Sequence, residues 1–410
     1  MSQTHSLTRP QLLAWRNAIF VVFALSGLSV ASWVSRLPAV RDGLDIDTAQ
    51  VGLLIFAMSA GSVIGLVAAP PVMLRFGARG GMLIALFVIA AGTATIGLGA
   101  TVAVSSVLVG IGLAAFGFGN GAVDVMMNVE GAAAERAIGR TLMPLMHAFF
   151  SFGTVAGAGL GALAAFLEIS VVLHLAVIAV VIVASALVAI RFVPRAIEAE
   201  VAVAGSDAAA GAAVRVPVRE RLVASLQVWK DLRLLAIGVI MLGMAFAEGS
   251  ANDWLTLAVV DGYGQSNATG AVVFGLFTVS MTVGRVLGGP VLDRFGRVPV
   301  LRVSALLGAL GLAAFIFASS SLPALGYVGV AFWALGCSLG FPVGMSAAAD
   351  TDDPKLSAAR VSAVAIIGYV AFLVGPPVLG LLGHDFGILN ALILVLVLVV
   401  LAGLASPAAR

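Results

Sequence analysis

Charge is what this sequence has least of. Only 10% of its 410 residues are Asp, Glu, Lys or Arg, where a soluble domain carries about 25%. Hydrophobic residues fill 61% of the chain and the mean hydropathy is +1.13, which excludes a soluble globular protein and leaves an integral membrane one. Cysteine is reduced to Cys337, inside an apolar run. Neither an intrachain disulfide nor cysteine-ligated zinc is available, and the residue reads as a small buried hydrophobe. Lysine is nearly absent, and the arginines stand at the edges of apolar runs, so the net charge of +2 points to no nucleic-acid partner. The alternation of outer-membrane barrel strands is missing, which leaves helices. Walker loops, metal-ligand spacings and nucleophile elbows are missing too. No enzyme, cofactor or metal is expected, and any work on a solute must draw on an ion gradient.

What is present is a series of apolar runs cut by charged or Gly/Pro-rich breaks. They predict membrane helices near 17–37, 48–70, 81–100, 104–129, 141–166 and 170–192, then near 232–259, 268–291, 299–319, 323–348, 358–383 and 387–405. The expected fold class is an all-α membrane protein, with twelve transmembrane helices in two pseudo-symmetric six-helix bundles, residues 1–192 and 231–410. A cytoplasmic linker is expected over 193–230; near its end Leu222, Leu226 and Trp229 stand at helical spacing beside basic residues. That suits either a helix lying on the membrane surface or a solvated connector. The first span follows Arg16, runs too long for a signal-peptide core, and is expected to be retained. Arg75, Arg79, Arg136, Arg140, Arg294, Arg297, Arg302, Lys355 and Arg360 fall on one side of this topology, and only Arg36 and Arg41 on the other. Both termini are therefore expected in the cytoplasm.

The two halves read as copies. Arg75-Phe76-Gly77 and Arg294-Phe295-Gly296 lie 219 residues apart, and the same offset links Asp42-Gly43 to Asp261-Gly262, Gly65 to Gly284, Gly110 to Gly329 and Gly117 to Gly336. A tandem duplication of a membrane bundle follows, an architecture common among secondary transporters.

The run Gly289-Pro290-Val291-Leu292-Asp293-Arg294-Phe295-Gly296-Arg297 resembles the signature loop of the Major Facilitator Superfamily, G-x-L-x-D-R-x-G-R. In that family the loop sits at the cytoplasmic ends of helices and latches the bundles together. Gly289 is expected to allow close helix contact, Asp293 to cap a neighbouring helix or pair with arginine, and Arg294 and Arg297 to sit at the inner surface. The first-half copy keeps Arg75 and Gly77 but has Leu74 where the aspartate is expected, so it cannot form the same ion pair. Drug antiporters of the superfamily tend to carry an arginine within the fourth helix and Gly-Pro in the fifth. Here no Lys or Arg lies between Arg79 and Arg136, and Gly157 is followed by Ala158, which disfavours drug antiport. The segment with Asn120, Asp124, Asn128, Gly139, Arg140, His147 and Ser151-Phe152-Gly153 is similar to the fucose-permease branch and to uncharacterised bacterial inner-membrane permeases near it. In fucose permeases a fourth-helix glutamate and a first-helix aspartate handle proton and sugar. Here Asn120 stands near the former, and no acid lies between Trp15 and Arg36, so the proton site is rearranged or lost. The resemblance implies a multi-pass protein of the bacterial inner membrane, monomeric, working by alternating access.

Asn120, Asp124 and Asn128 recur every four residues, which puts an acid between two amides on one helix face. Asp124 is the first candidate for proton carrier, with pairing to Arg140 the structural alternative, and His147 a relay partner or a packing donor. Glu130, Glu135, Arg136 and Arg140 read as loop charges forming surface pairs at a gate. The seventh helix carries Glu248-Gly249-Ser250-Ala251-Asn252-Asp253-Trp254 midway along its length. Glu248, Asn252 and Thr256 share a face there, and Gly249-Ser250 invites local unwinding, as at the substrate sites of transporters. Glu248 is the alternative proton carrier. Trp33, Trp254 and Trp333 offer ring faces for stacking, with Tyr369 a weaker candidate. Arg285 could bind an anionic substrate or pair with Asp293 or an acid of the tenth helix, and is assigned to the gate.

The expected function is secondary active transport of a small polar solute, sugar-like or a similar metabolite, by proton symport, with sodium not excluded. The rival readings are a proton-driven exporter of amphipathic compounds and a non-transporting membrane sensor.

Overall fold

The computed structural model describes residues 7–139, 142–194, 228–318, 322–351 and 354–410. Arg140, Leu222 and Leu226, and with them the expected pairing of Arg140 and the expected surface helix, lie outside the described residues. The described residues contain helices, turns and no strand. The chain divides into two compact units, Met1–Ile46 with Leu54–Ala212, and Asp47–Leu53 with Ala213–Arg410.

The first unit holds α1 (Arg9–Val34), α2 (Leu37–Leu44), most of α3 (Thr48–Thr101), α4 (Ser106–Ile138), α5 (Met143–Phe166) and α6 (Val171–Ala189). Side chains set the helix starts: the Thr8 amide donates to Gln11 Oε1, and Ser105 and Ser170 accept from the amides of Leu108 and Leu173. Helix α4 runs well past the predicted end near 129, to a left-handed cap at Gly139 (φ 71°). Glu130 and Glu135 are thus helical rather than loop residues. Glu135 Oε2 accepts from the amides of Leu142 and Met143 (2.7 Å for Met143) and so caps α5 instead of forming a surface pair.

The second unit holds α7 (Leu232–Leu257), a π turn (Ala258–Gly262), α8 (Asn267–Phe295), α9 (Arg297–Phe317), α10 (Pro323–Cys337), α11 (Gly340–Ala349), α12 (Pro354–Phe386) and α13 (Ile388–Ala405). Eleven stretches among the described residues are long and apolar enough to cross a bilayer. One of them, α3, has 54 residues, about 80 Å if straight, and breaks at Gly77. Counting it as one or two gives eleven or twelve spans.

The duplication appears in the backbone. Gly77 (φ 70°, ψ 166°) and Gly296 (φ 77°, ψ 169°) adopt the same conformation, and Arg75 and Arg294 each lie 5.6 Å from the ring of the following phenylalanine. That conformation is nearly glycine-only and costs other residues about 1–3 kcal/mol. Gly296→Ala and Gly77→Ala are each expected to lower stability by about that amount, read from thermal unfolding in detergent.

Helix crossings repeat as well, with a correction to the register. Gly92 abuts Gly112, and Gly311 abuts Gly329; Gly119 lies on the Ala85 carbonyl, and Gly336 on that of Ser304. The partners of Gly329 and Gly336 are therefore Gly112 and Gly119, not Gly110 and Gly117. The stretch from Gly92 to Gly112 is two residues longer than that from Gly311 to Gly329, because α3 runs further past its crossing glycine than α9 does, so the 219-residue offset does not carry through it.

Candidate functional site

In the second unit, α7 and α8 bring two opposite charges together inside their membrane spans. Arg285 Nη2 donates to Glu248 Oε1 at 2.8 Å, with side-chain exposures of 36% and 18%. The pairing corrects the expected partner of Arg285, which is Glu248 and neither Asp293 nor a tenth-helix acid. A lone charge at this depth is costly, whereas a hydrogen-bonded pair is tolerated. Cys337 of α10 packs nearby with its Sγ 3.8 Å from Met281 Sδ, enclosed as its apolar surroundings predict.

Helix α7 does not unwind at Gly249-Ser250. The Ser250 hydroxyl donates to the Phe246 carbonyl at 2.6 Å, and the Phe372 ring fills the space beside Gly249. The α-helix continues to Leu257, and the irregularity falls in the π turn beyond it. Ser250, Asp253 and Trp254 line a narrow crevice with Phe246, Phe372 and Pro376, too tight to hold a water molecule. Glu248 and Asn252, one turn apart, are half-buried, while Thr256 on the same face is buried.

Two of the tryptophans expected to stack on a ligand are enclosed in packing. Trp33 is buried, and Trp333 sits edge-on to Phe277 with ring centroids 5.5 Å apart. Large apolar rings gain most by packing between helices, as Trp333 does against Phe277 and against Phe315, 6.1 Å away between ring centroids. Trp254 is also buried, with its indole N–H unpaired, but it borders the crevice. Tyr369 of α12 is exposed.

At the loop that carries the family resemblance, Asp293 is exposed and bonds to no other described residue, so the expected cap or ion pair is not formed. Arg294 leans over Phe295. Arg297 makes the contacts instead, to Asp350 Oδ2 and Ser346 Oγ, each at 2.9 Å, because the turn at Gly296 starts α9 with Arg297 beside the end of α11. Gly289 faces open space, and its neighbour Gly288 meets Leu339.

A further tie in this unit centres on Arg360, which is buried, donates to the Ala348 carbonyl and pairs with Asp231, the N-cap of α7. Burial pushes the Asp231 carboxyl up, but Arg360 and the amides of Leu234 and Arg233 outweigh it and hold the pKa below the ordinary 3.8. A depressed carboxylate stabilises the fold above its unfolded-state pKa and loses that contribution as pH falls through the folded value. Asp231→Asn is therefore expected to destabilise the protein at neutral pH, with the gap from wild type closing as pH falls below about 3.8; unfolding midpoints across pH measure it.

In the first unit the Ser26 hydroxyl donates to Asn120 Oδ1 at 3.0 Å, and Asn128 Nδ2 donates to the Asp124 carbonyl at 2.8 Å and its carboxylate at 3.3 Å. Asp124 is exposed on the unit, and His147 meets the edge of Phe23 at 5.2 Å. Sequence reasoning missed the role of Glu130. It is 7% exposed and accepts from Trp15 Nε1 at 3.1 Å. Nothing in the sequence joins two residues 115 positions apart.

The described residues contain no cluster of three or more His, Cys, Asp or Glu able to hold a metal. The helical architecture matches solved structures over almost the whole chain. It superposes on the nucleoside transporter NupG with a TM-score of 0.70, covering 97% of this chain and 98% of that one at 17% identity. The chain has the Major Facilitator fold. The E. coli fucose:proton symporter FucP shares it, with a TM-score of 0.59, 16% identity and coverage of 96% and 98%. The sequence profile described as Major Facilitator Superfamily matches residues 254–409. An uncharacterized MFS-type transporter of Yersinia pestis is 25% identical over 364 residues, 89% of this chain and 88% of its own. The Major Facilitator fold thus extends over both units, although the profile matches only the second half.

Proposed function

We propose that this protein is a secondary active transporter that moves a small polar solute across a bacterial inner membrane by alternating access, coupled to protons. The reading includes the twelve-helix count, obtained by dividing α3 at Gly77, with both termini in the cytoplasm. The observation that carries it is the Glu248–Arg285 pair within the membrane spans, one turn from Asn252 and close in sequence to Asp253. Such a pair can open to offer a carboxylate and a guanidinium to a polar solute, and a carboxylate so released can take up a proton. Asp124, hydrogen-bonded to Asn128, is the first-unit candidate for the same proton. The likeness to NupG and FucP supports nucleosides and sugars as the first solutes to try. The polar groups gathered on α7 and α8, Glu248, Asn252, Asp253 and Arg285, favour a solute held by defined hydrogen bonds over the amphipathic cargo of an exporter.

The test is internal pH in proteoliposomes as sugars and nucleosides are added outside, with Asp124→Asn and Glu248→Gln in parallel. One compound is expected to acidify the lumen, and at least one variant to abolish the signal. Extrusion of lipophilic dyes driven by an imposed proton gradient, with no response to polar solutes, would replace symport by export.

A further inference from the structure

Eight buried side-chain nitrogen or oxygen atoms among the described residues have no hydrogen-bond partner, and five of them belong to Ser32, Arg36 and His174. Ser32 and Arg36 lie one turn apart where α1 ends. His174 stands on α6, beside Gly161 of α5, whose Cβ, if present, would lie 3.8 Å from the imidazole. Arg36 is 5% exposed and His174 6%. One guanidinium nitrogen, Nη2, donates to the Ile169 carbonyl at 2.6 Å, which leaves Nε and Nη1 unused, as are the Ser32 hydroxyl and both ring nitrogens of His174.

A buried guanidinium normally has a carboxylate beside it. Here the nearest acid along the α5–α6 connection, Glu168, is exposed and makes no ion pair with Arg36. Burial lowers the pKa of Arg36 with no opposing contribution from an anionic neighbour. Arg36 reaches the carbonyl of Ile169, five residues before His174, and Gly161 lies against both Ser35, the neighbour of Arg36, and His174. The two buried groups thus stand at the same end of the unit with unfilled hydrogen-bonding capacity and no ion pair. Ordered water would satisfy the donors but leave a net positive charge in a medium of low dielectric; a small anion would do both.

We propose that Arg36, His174 and Ser32 form a buried site for a small inorganic monovalent anion, with chloride as its probe. The guanidinium supplies the charge, and the Ser32 hydroxyl and one imidazole N–H supply further donors. The site lies wholly in the first unit and is independent of the Glu248–Arg285 pair.

Chloride NMR line width, measured on the purified protein in detergent at constant ionic strength with gluconate as the replacing anion, tests it. Wild type is expected to broaden the line saturably, with the broadening displaced by bromide, and its unfolding midpoint is expected to rise with chloride. Arg36→Gln is expected to weaken binding about tenfold or more, and His174→Gln to weaken it measurably. If Arg36→Gln does not fold, the His174→Gln comparison carries the test. Absence of broadening in wild type, or broadening unchanged in the folded variants, would overturn the proposal. A site filled by a lipid phosphate would give that first result, because chloride would not enter it.

Discussion

Arg285→Met is expected to lower stability by about 2–3 kcal/mol and to abolish solute-driven proton movement, because it leaves Glu248 alone within a membrane span. This is less than the roughly 3–5 kcal/mol for breaking a fully buried pair, since the Arg285 side chain keeps 36% of its surface and solvent screens the charge. Glu248→Gln leaves the guanidinium unpaired and is expected to cost a similar amount. The double variant is expected to recover most of the stability of either single change, because no uncompensated charge remains, yet not to transport. Unfolding midpoints of wild type, both single variants and the double variant complete the cycle. Independent, additive losses would show that the two residues do not act as a pair. Recovered transport in the double variant would show that neither side chain is needed by the solute or the proton.

The second large effect is expected where α1 crosses α5. A Cβ on Gly27 would overlap the Phe150 carbonyl, one on Gly153 the Ala24 carbonyl, and one on Gly157 would lie 2.5 Å from the Leu28 carbonyl oxygen. These contacts are backbone against backbone, so no rotamer change relieves them, and the helices must separate. Gly153→Val is expected to cost about 3 kcal/mol or more, seen as loss of monodisperse protein on extraction and a lowered unfolding midpoint. Gly159→Ala, on the same helix with nothing within 4 Å, is the control. It is expected to be neutral, or to stabilise slightly by removing a flexible residue from a helix interior, by about 0.5–1 kcal/mol.

Much of the architecture was legible before the structure. Apolar runs of bilayer length, punctuated by Gly, Pro and Arg, located the spans, and Arg75-Phe76-Gly77 with its distant copy marked two turns that share one backbone conformation. The candidate site was legible only by element. Glu248, Asn252 and Asp253 were singled out from α7 because mid-span polar groups are costly and seldom incidental. Their surroundings are not legible in the sequence: Glu248 meets Arg285, α7 continues through a glycine that accommodates Phe372, and Arg297 rather than Asp293 makes an ion pair at the signature loop. Glu130 was placed in a loop because the end of α4 depends on the cap at Gly139 and on Glu135 holding the start of α5.

The division follows from the range over which each property is set. The sequence by itself determined the membrane class, the helical content and the duplication, because hydropathy, periodicity and glycine punctuation are local properties summed along the chain. The tertiary structure alone decided which charges meet. Glu248 and Arg285 are 37 residues apart, Trp15 and Glu130 115, and Arg36 and Ile169 133. Each residue advances a helix by about 100°, so a two-residue error in the offset points to the wrong face, and packing shows that the counterpart of Gly329 is Gly112 and not Gly110. Contacts of that kind are fixed only when the helices pack.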